Sequence, residues 1–103
     1  MTTSTGTLNA IVDACTTRIG NMIQEENFFA DTWVDQDSRK RYVAALEGAY
    51  AMVQGTAVVV YMKAEVWGYV AAEILDWALD SLDIQDVTIE SDPDKGRAIV
   101  RFA

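Results

Sequence analysis

Histidine is absent from the 103 residues, and cysteine and proline occur once each. The missing imidazole excludes a Ser-His-Asp triad, a Cys-His pair and any imidazole-bound metal. A lone Cys15 excludes an intramolecular disulfide and a thiolate-rich zinc site. Basic residues are scarce as well, 8 against 16 acids, for a net charge of −8. Phosphate binding needs a basic footprint, so nucleic acid is not an expected partner. Long apolar runs are also missing. The longest uncharged stretch, 48–62, lies between Glu47 and Lys63 and contains Gln54 and Thr56. It is too short for a bilayer core of about 30 Å, and no membrane insertion is expected. The opening Met-Thr-Thr-Ser-Thr-Gly-Thr has neither a basic nor an apolar region of the kind a secretory signal carries. With an unpaired cysteine, the expected setting is cytoplasmic or within a soluble or viral assembly. Phosphate loops, G-x-G-x-x-G after a strand and G-x-S-x-G are all missing. No catalytic, cofactor or metal residue is assigned, and the chain is not read as an enzyme.

What is present is apolar material, 50% of the chain, enough for a packed core in one domain spanning 1–103. Leu8, Ile11, Val12, Cys15, Ile19, Met22 and Ile23 recur at spacings of three and four, which predicts an amphipathic helix over about 8–29 with Thr7 as its N-cap. Cys15 falls on its apolar stripe and reads as a small core residue. The connector 27–36 holds Phe28, Phe29 and Trp33, aromatics that need either the domain's own helices or an interface to cover them. Asp37-Ser38 reads as the start of a second helix, followed by the basic triplet Arg39, Lys40 and Arg41. That triplet is a solvated face or an ion-pairing surface for another subunit.

Two readings compete for 39–82. In one, a helix reaches Val53, breaks at Gln54-Gly55-Thr56, and gives way to a strand over 57–61 and a helix over 64–82, as the β-branched run suggests. In the other, one long helix, continuous or kinked, runs through. At 100° per residue Glu47, Gln54, Glu65 and Asp76 fall on one polar arc, and this persistence of phase favours the long helix. Such a helix would span about 65 Å, more than one chain of this size could cover. Ala44, Gly48, Ala51 and Gly55 would then form a small-residue face for close approach of a second helix.

The chain closes on two alternating segments, 86–90 and 97–102, around the turn Ser91-Asp-Pro-Asp-Lys-Gly96, which predicts a β-hairpin. Alone it would be marginal, so it must lie on the helices, join a third strand such as 57–61, or extend a neighbour's sheet. The fold class expected is therefore α+β and helix-rich, with an N-terminal amphipathic helix, a long second helix, whether continuous, kinked or broken, and a C-terminal hairpin. Glu73, Asp76, Asp80 and Asp83 would share one acidic ridge, where like charges cost a few tenths of a kcal/mol per pair, about 0.2–0.5. The turn at 90–96 has carboxylates at alternate positions, but its glycine falls one place late for an EF-hand and Arg101 stands where the closing glutamate belongs.

Gly68-Tyr69-Val70 leads through Leu82 into an acidic hairpin ending Val100-Arg101-Phe102. This layout is similar to the end of small-molecule-binding domains of the vinyl-reductase type, although the cysteines that mark that ending are absent. Three functional readings follow. The favoured one is a non-enzymatic structural or assembly subunit, forming a homo-oligomer or part of a larger complex such as a virion. Its partners would be copies of itself or other protein subunits. The alternative is a small-molecule-binding or regulatory module with an apolar pocket between helices and hairpin, lined by Trp67, Tyr69 and Trp77. The third is an acidic inhibitor that mimics nucleic acid with the carboxylates of 73–94.

Overall fold

The computed structural model describes residues 5–62 and 68–102. Helix α1 (Thr5–Phe28) is followed by a 3₁₀ turn (Ala30–Thr32) and helix α2 (Gln36–Glu47). Strands β1 (Tyr50–Gln54) and β2 (Ala57–Tyr61) come next, then helix α3 (Val70–Ser81). Strand β3 (Ile89–Asp92), a 3₁₀ turn (Pro93–Lys95) and strand β4 (Arg97–Arg101) complete the chain. The strands form one antiparallel sheet in the order β1-β2-β4-β3. The α+β, helix-rich class is as the composition and patterning indicated, with the N-terminal helix and the C-terminal hairpin both present.

The uninterrupted helix over 39–82 is not. Its central third is a β-hairpin, in which Gln54 pairs with Ala57 around the two-residue loop Gly55-Thr56. Gly55 has φ 63°, a left-handed conformation that glycine adopts without the clash a Cβ would cause, and it stands at the first central position, where hairpin turns of the II′ kind require it. The run Val58-Val59-Val60 is a central strand buried on both faces, so it lacks the alternation that would have marked it. Of the alternatives weighed for this region, the strand at 57–61 is the one the structure contains. The helix before it stops at Glu47, and β1 occupies residues 50–53 that both readings made helical, together with Gln54, which the strand reading made a break.

Helix limits differ in smaller ways. The chain is already helical at Thr5, so Thr7 lies inside the first turn of α1 instead of capping it. Helix α2 is capped by Asp35, whose carboxylate accepts from the amides of Asp37 and Ser38 at 3.0 and 3.2 Å and from Ser38 Oγ at 2.7 Å. Those bonds to the charged form, led by the one from the Ser38 hydroxyl, hold the Asp35 carboxyl below its ordinary range.

The hairpin β3–β4 joins the sheet through β2, with Val58 opposite Val100 and Val60 opposite Ala98. These four side chains point to one face and are fully buried. On that face lie α1, through Leu8, Ile11, Cys15 and Ile19, and α3, through Ile74, Leu75 and Ala78, with Leu46 of α2 closing one end. Burial of each large apolar side chain contributes about 1.5–3 kcal/mol. The Cys15 thiol belongs to this core, and desolvation pushes its pKa up to about 12. On the opposite face Val59 is also buried, beside Met52 and Ile99. Gln54 Nε2 donates to Tyr61 Oη at 3.1 Å, although Tyr61 lies four positions along β2 from Gln54's strand partner Ala57. The two side chains therefore lie along the sheet and across Val59, and Tyr50 stacks on Tyr61 with centroids 5.1 Å apart.

The start of α3 depends on a close approach. A Cβ on Gly68 would run into the Pro93 carbonyl, which already accepts from the Gly96 amide at 3.1 Å. Gly68→Ala is expected to destabilise the fold by about 2–3 kcal/mol in urea unfolding, because the atom in the way is backbone and cannot swing aside. Cys15 is expected to react with a thiol reagent at pH 8 about a thousandfold more slowly in the native chain than in urea, a raised thiol pKa removing thiolate in that proportion.

Candidate functional site

Helix α1 has 24 residues and is therefore about 36 Å long, while the whole molecule measures 48 × 25 × 20 Å. Its buried residues end at Ile19, and Met22 and Ile23 are the last to touch the core. The final turn of α1 thus projects past the packed core, and the 3₁₀ turn reverses the chain into α2, which packs back on α1. The result is a helical hairpin with a tip.

Backbone and side-chain bonds make that tip a defined structure. Phe29 N donates to Glu25 O at 2.9 Å, and Thr32 N to Phe29 O at 3.0 Å. Gln36 Nε2 donates to the carbonyls of Ala30 and Trp33 at 2.7 and 3.1 Å. Trp33 folds inward: its indole N–H donates to Glu26 at 2.6 Å and its ring packs on Tyr42 at 5.9 Å. The other apolar side chains point out. Phe28 is 82% exposed and Phe29 52%, their rings meeting edge to face at 4.9 Å, and Val34 is entirely exposed. A hollow of about 330 Å³ beside the two phenylalanines is lined by Asn21, Gln24 and Glu25. Exposed aromatic side chains that touch each other, on a hydrogen-bonded turn, have the makeup of a contact surface.

The other residues singled out in the sequence are scattered. Ala44 lies on α2, Gly48 caps its C-terminus, Ala51 is in β1 and Gly55 in the hairpin loop. No common small-residue face exists, since it required a continuous helix. In the first two turns of α2, Arg39 donates to Gln36 Oε1 at 2.8 Å and Arg41 to Ser38 Oγ at 3.4 Å, with Lys40 exposed. Glu73, Asp76 and Asp80 are exposed on α3, whereas Asp83 lies past its end with φ 55°. Among the described residues, no group of three or more acidic or cysteine side chains is placed to hold a metal ion.

Trp67 and Glu65 lie outside the described residues. Tyr69 stands half-exposed before the first turn of α3, and Trp77 is half-buried beneath the Arg18 guanidinium, 5.3 Å from its ring centroid. Tyr69 and Trp77 are separated by about 12 Å along the helix, so these two do not converge. The space between helices and sheet is filled by Ile11, Leu46, Val58, Val60, Ile74 and Leu75, all fully buried.

The outer face of the sheet, which no sequence pattern singled out, is the second surface. A depression of about 390 Å³ is lined by Gln54, Ala57, Glu90, Asp92, Arg97 and Arg101. Its charges are matched across β3 and β4, Arg97 with Asp92 at 3.4 Å and Arg101 with Glu90 at 3.5 Å. Alternation in the two strands was the signal available for this face. Among the described residues, no helix is long and apolar enough to cross a membrane. Comparison with protein-family models, with curated proteins and with solved structures returns no match.

Tyr42 anchors the tip to α2, and burial first, then the nearby Glu26 carboxylate, push its phenol up from 10 to about 12. A folded-state pKa above the ordinary one means that the fold favours the neutral phenol. That stabilisation is complete below about pH 10 and is lost as pH rises towards 12. The urea midpoint of the wild type is expected to fall over this window more steeply than that of Tyr42→Phe, whose tyrosinate absorbance lacks the component near pH 12.

Proposed function

We propose that this chain is a non-enzymatic assembly subunit that joins other protein subunits, its own copies included, through the tip of the α1–α2 hairpin. The observation that carries the reading is the exposure of Phe28, Phe29 and Val34 together on a turn whose backbone is hydrogen-bonded in place. Aromatic rings contribute most where an interface buries them centrally, and a preformed turn loses little entropy on docking. The tip also carries the charge pattern of a protein contact. Glu25 lies beside the rings, and the exposed Asp31, Asp35 and Asp37 follow them in sequence, with Arg39, Lys40 and Arg41 beyond. Carboxylates flanking the apolar residues would be repelled by an anionic lipid surface but can pair with basic side chains of a protein partner.

Chemistry points the same way. The chain has no histidine, and its single thiol is buried with a pKa of about 12. The common nucleophile–base pairings are therefore closed to it.

The test is sedimentation velocity at tens of micromolar, comparing the wild type with the combined variant F28S/F29S/V34S. The wild type is expected to sediment as a species larger than 11.4 kDa, and the variant at a lower mass. The variant's unfolding free energy should stay within about 0.5 kcal/mol, because these side chains support nothing in the core. An unchanged mass for the variant would remove the tip from the assembly, and an 11.4 kDa wild type at all concentrations would remove self-assembly altogether.

A further inference from the structure

We propose that the free edge of β1 is a docking site for a second copy of this chain, the two β1 strands pairing antiparallel about a two-fold axis at Met52 to make one eight-stranded sheet. The contact is a joint of the assembly proposed above, on a different surface from the helical tip and testable separately from it.

The hydrogen-bonding parity of the sheet identifies what the edge offers. Phe102 N donates to Thr56 O at 2.9 Å, and Met62 N donates to Gly96 O at 2.6 Å. Even-numbered residues of this strand therefore turn their backbone groups towards β4, and the odd-numbered Ala57, Val59 and Tyr61 turn theirs towards β1. Their partners Gln54, Met52 and Tyr50 point back at them. Ala51 and Val53 are left pointing away from the sheet, with two N–H donors and two C=O acceptors placed symmetrically about Met52. Among the described residues nothing pairs with this edge, and α2 packs on α1 without running along it.

Such an edge is its own complement. When two copies meet antiparallel, Ala51 falls opposite the partner's Val53 and Val53 opposite the partner's Ala51, so all four donor–acceptor sets close at once. Met52 falls opposite the partner's Met52 in a non-hydrogen-bonded pair, where Cα atoms approach to about 4.5 Å. On the core side, Ala51 and Val53 are only half-buried although their neighbours Val60 and Val58 are fully buried. A second copy would extend the sheet past them.

Charge singles out this edge as a place where two copies can meet without like charges facing each other. Strand β1 has no charged residue, whereas the chain as a whole carries −8. The exposed face of α3, with Glu73, Asp76 and Asp80, would by contrast bring like charges together. The opposite edge, β3, carries Glu90 and Asp92 and runs into Pro93, the features by which proteins keep edges from pairing. Five consecutive pairs with β2 leave β1 without a bulge, and it has neither proline nor a lysine to block a neighbour.

The experiment uses Met52, whose side chain is exposed on the outer face. The full chain carrying M52C is expected to form a disulfide-linked dimer under mild oxidation, since Cα atoms about 4.5 Å apart are within bridging reach. Y50C is not, because two residues at that position would stand about 13 Å apart. Cys15 is buried and does not interfere. In native mass spectrometry, M52K and M52E alone are expected to lose this dimer. Their equimolar mixture should show the mixed dimer over either homodimer by about tenfold or more. All are repeated with F28S/F29S/V34S added, so that a failed tip leaves these outcomes intact and a failed edge leaves the tip's effect intact. Absence of the M52C crosslink, or a mixture no more dimeric than its components, overturns the proposal. So does a wild type that stays monomeric but takes an extended strand from a different protein on this edge.

Discussion

The reversal at Gly55-Thr56 is the constraint on which the rest of the molecule rests, because it decides which side of every strand faces the helices. A two-residue loop allows one register, Gln54 against Ala57, and with it Met52 against Val59 and Tyr50 against Tyr61. That register puts Val58 and Val60 under α1 and α3 and turns Val59 and Tyr61 to the outer face. Because β2 also pairs with β4, the same parity passes on to Ala98 and Val100, and from there to Ile89 of β3. A one-residue slip would turn Val58 and Val60 outward and set Ala57, Val59 and Tyr61 against the helices, replacing a close-packed valine pair with a phenol that needs water. The left-handed φ of Gly55 thus supports a core built from residues far away in sequence.

This dependence explains what could be read from the chain and what could not. Helix α1 was legible because its apolar residues repeat over many turns on one side, from Leu8 to Ile23, a pattern few other structures satisfy. The C-terminal hairpin was legible because its turn, with Pro93 and Gly96, is local chemistry. The hairpin at 50–61 was harder, since a central strand buried on both faces has no period of two to show, and Val58-Val59-Val60 reads alike as the middle of a buried helix. The polar residues that share a helical phase are polar for unrelated reasons. Glu47 ends α2, Gln54 closes a hairpin and lies across Val59, and Asp76 is on the wet side of α3. Their coincidence of phase was outweighed by β-branched propensity and a glycine at a turn position.

Of the candidate surfaces, the aromatic connector was visible in composition, though which rings it exposes was not. Trp33 resembles Phe28 and Phe29 in every sequence measure, yet its indole N–H can reach Glu26 and its ring can reach Tyr42, so it folds inward. The phenylalanines have no polar atom to satisfy and lie beyond the last turn of α1 that the core covers. The β1 edge was invisible for a different reason. Which amides of a strand point outward is set by pairing parity, and parity is a property of the whole sheet.

The placement of the two surfaces bears on what kind of assembly they allow. The tip lies where α1 outruns the core, and the edge flanks the sheet, so the two belong to different elements. A two-fold contact such as the β1 pairing closes on itself and yields a dimer, whereas a tip that seats on some other patch of a neighbour is heterologous and continues from subunit to subunit. Combined on one chain, the two contacts would link dimers into rings or extended arrays. The acidic face of α3, with Glu73, Asp76 and Asp80, would then keep unbonded faces apart by like-charge repulsion. On this reading the distribution of charge helps direct association, because β1 is a strand from which every charge is missing while the exposed face of α3 repels its own copy.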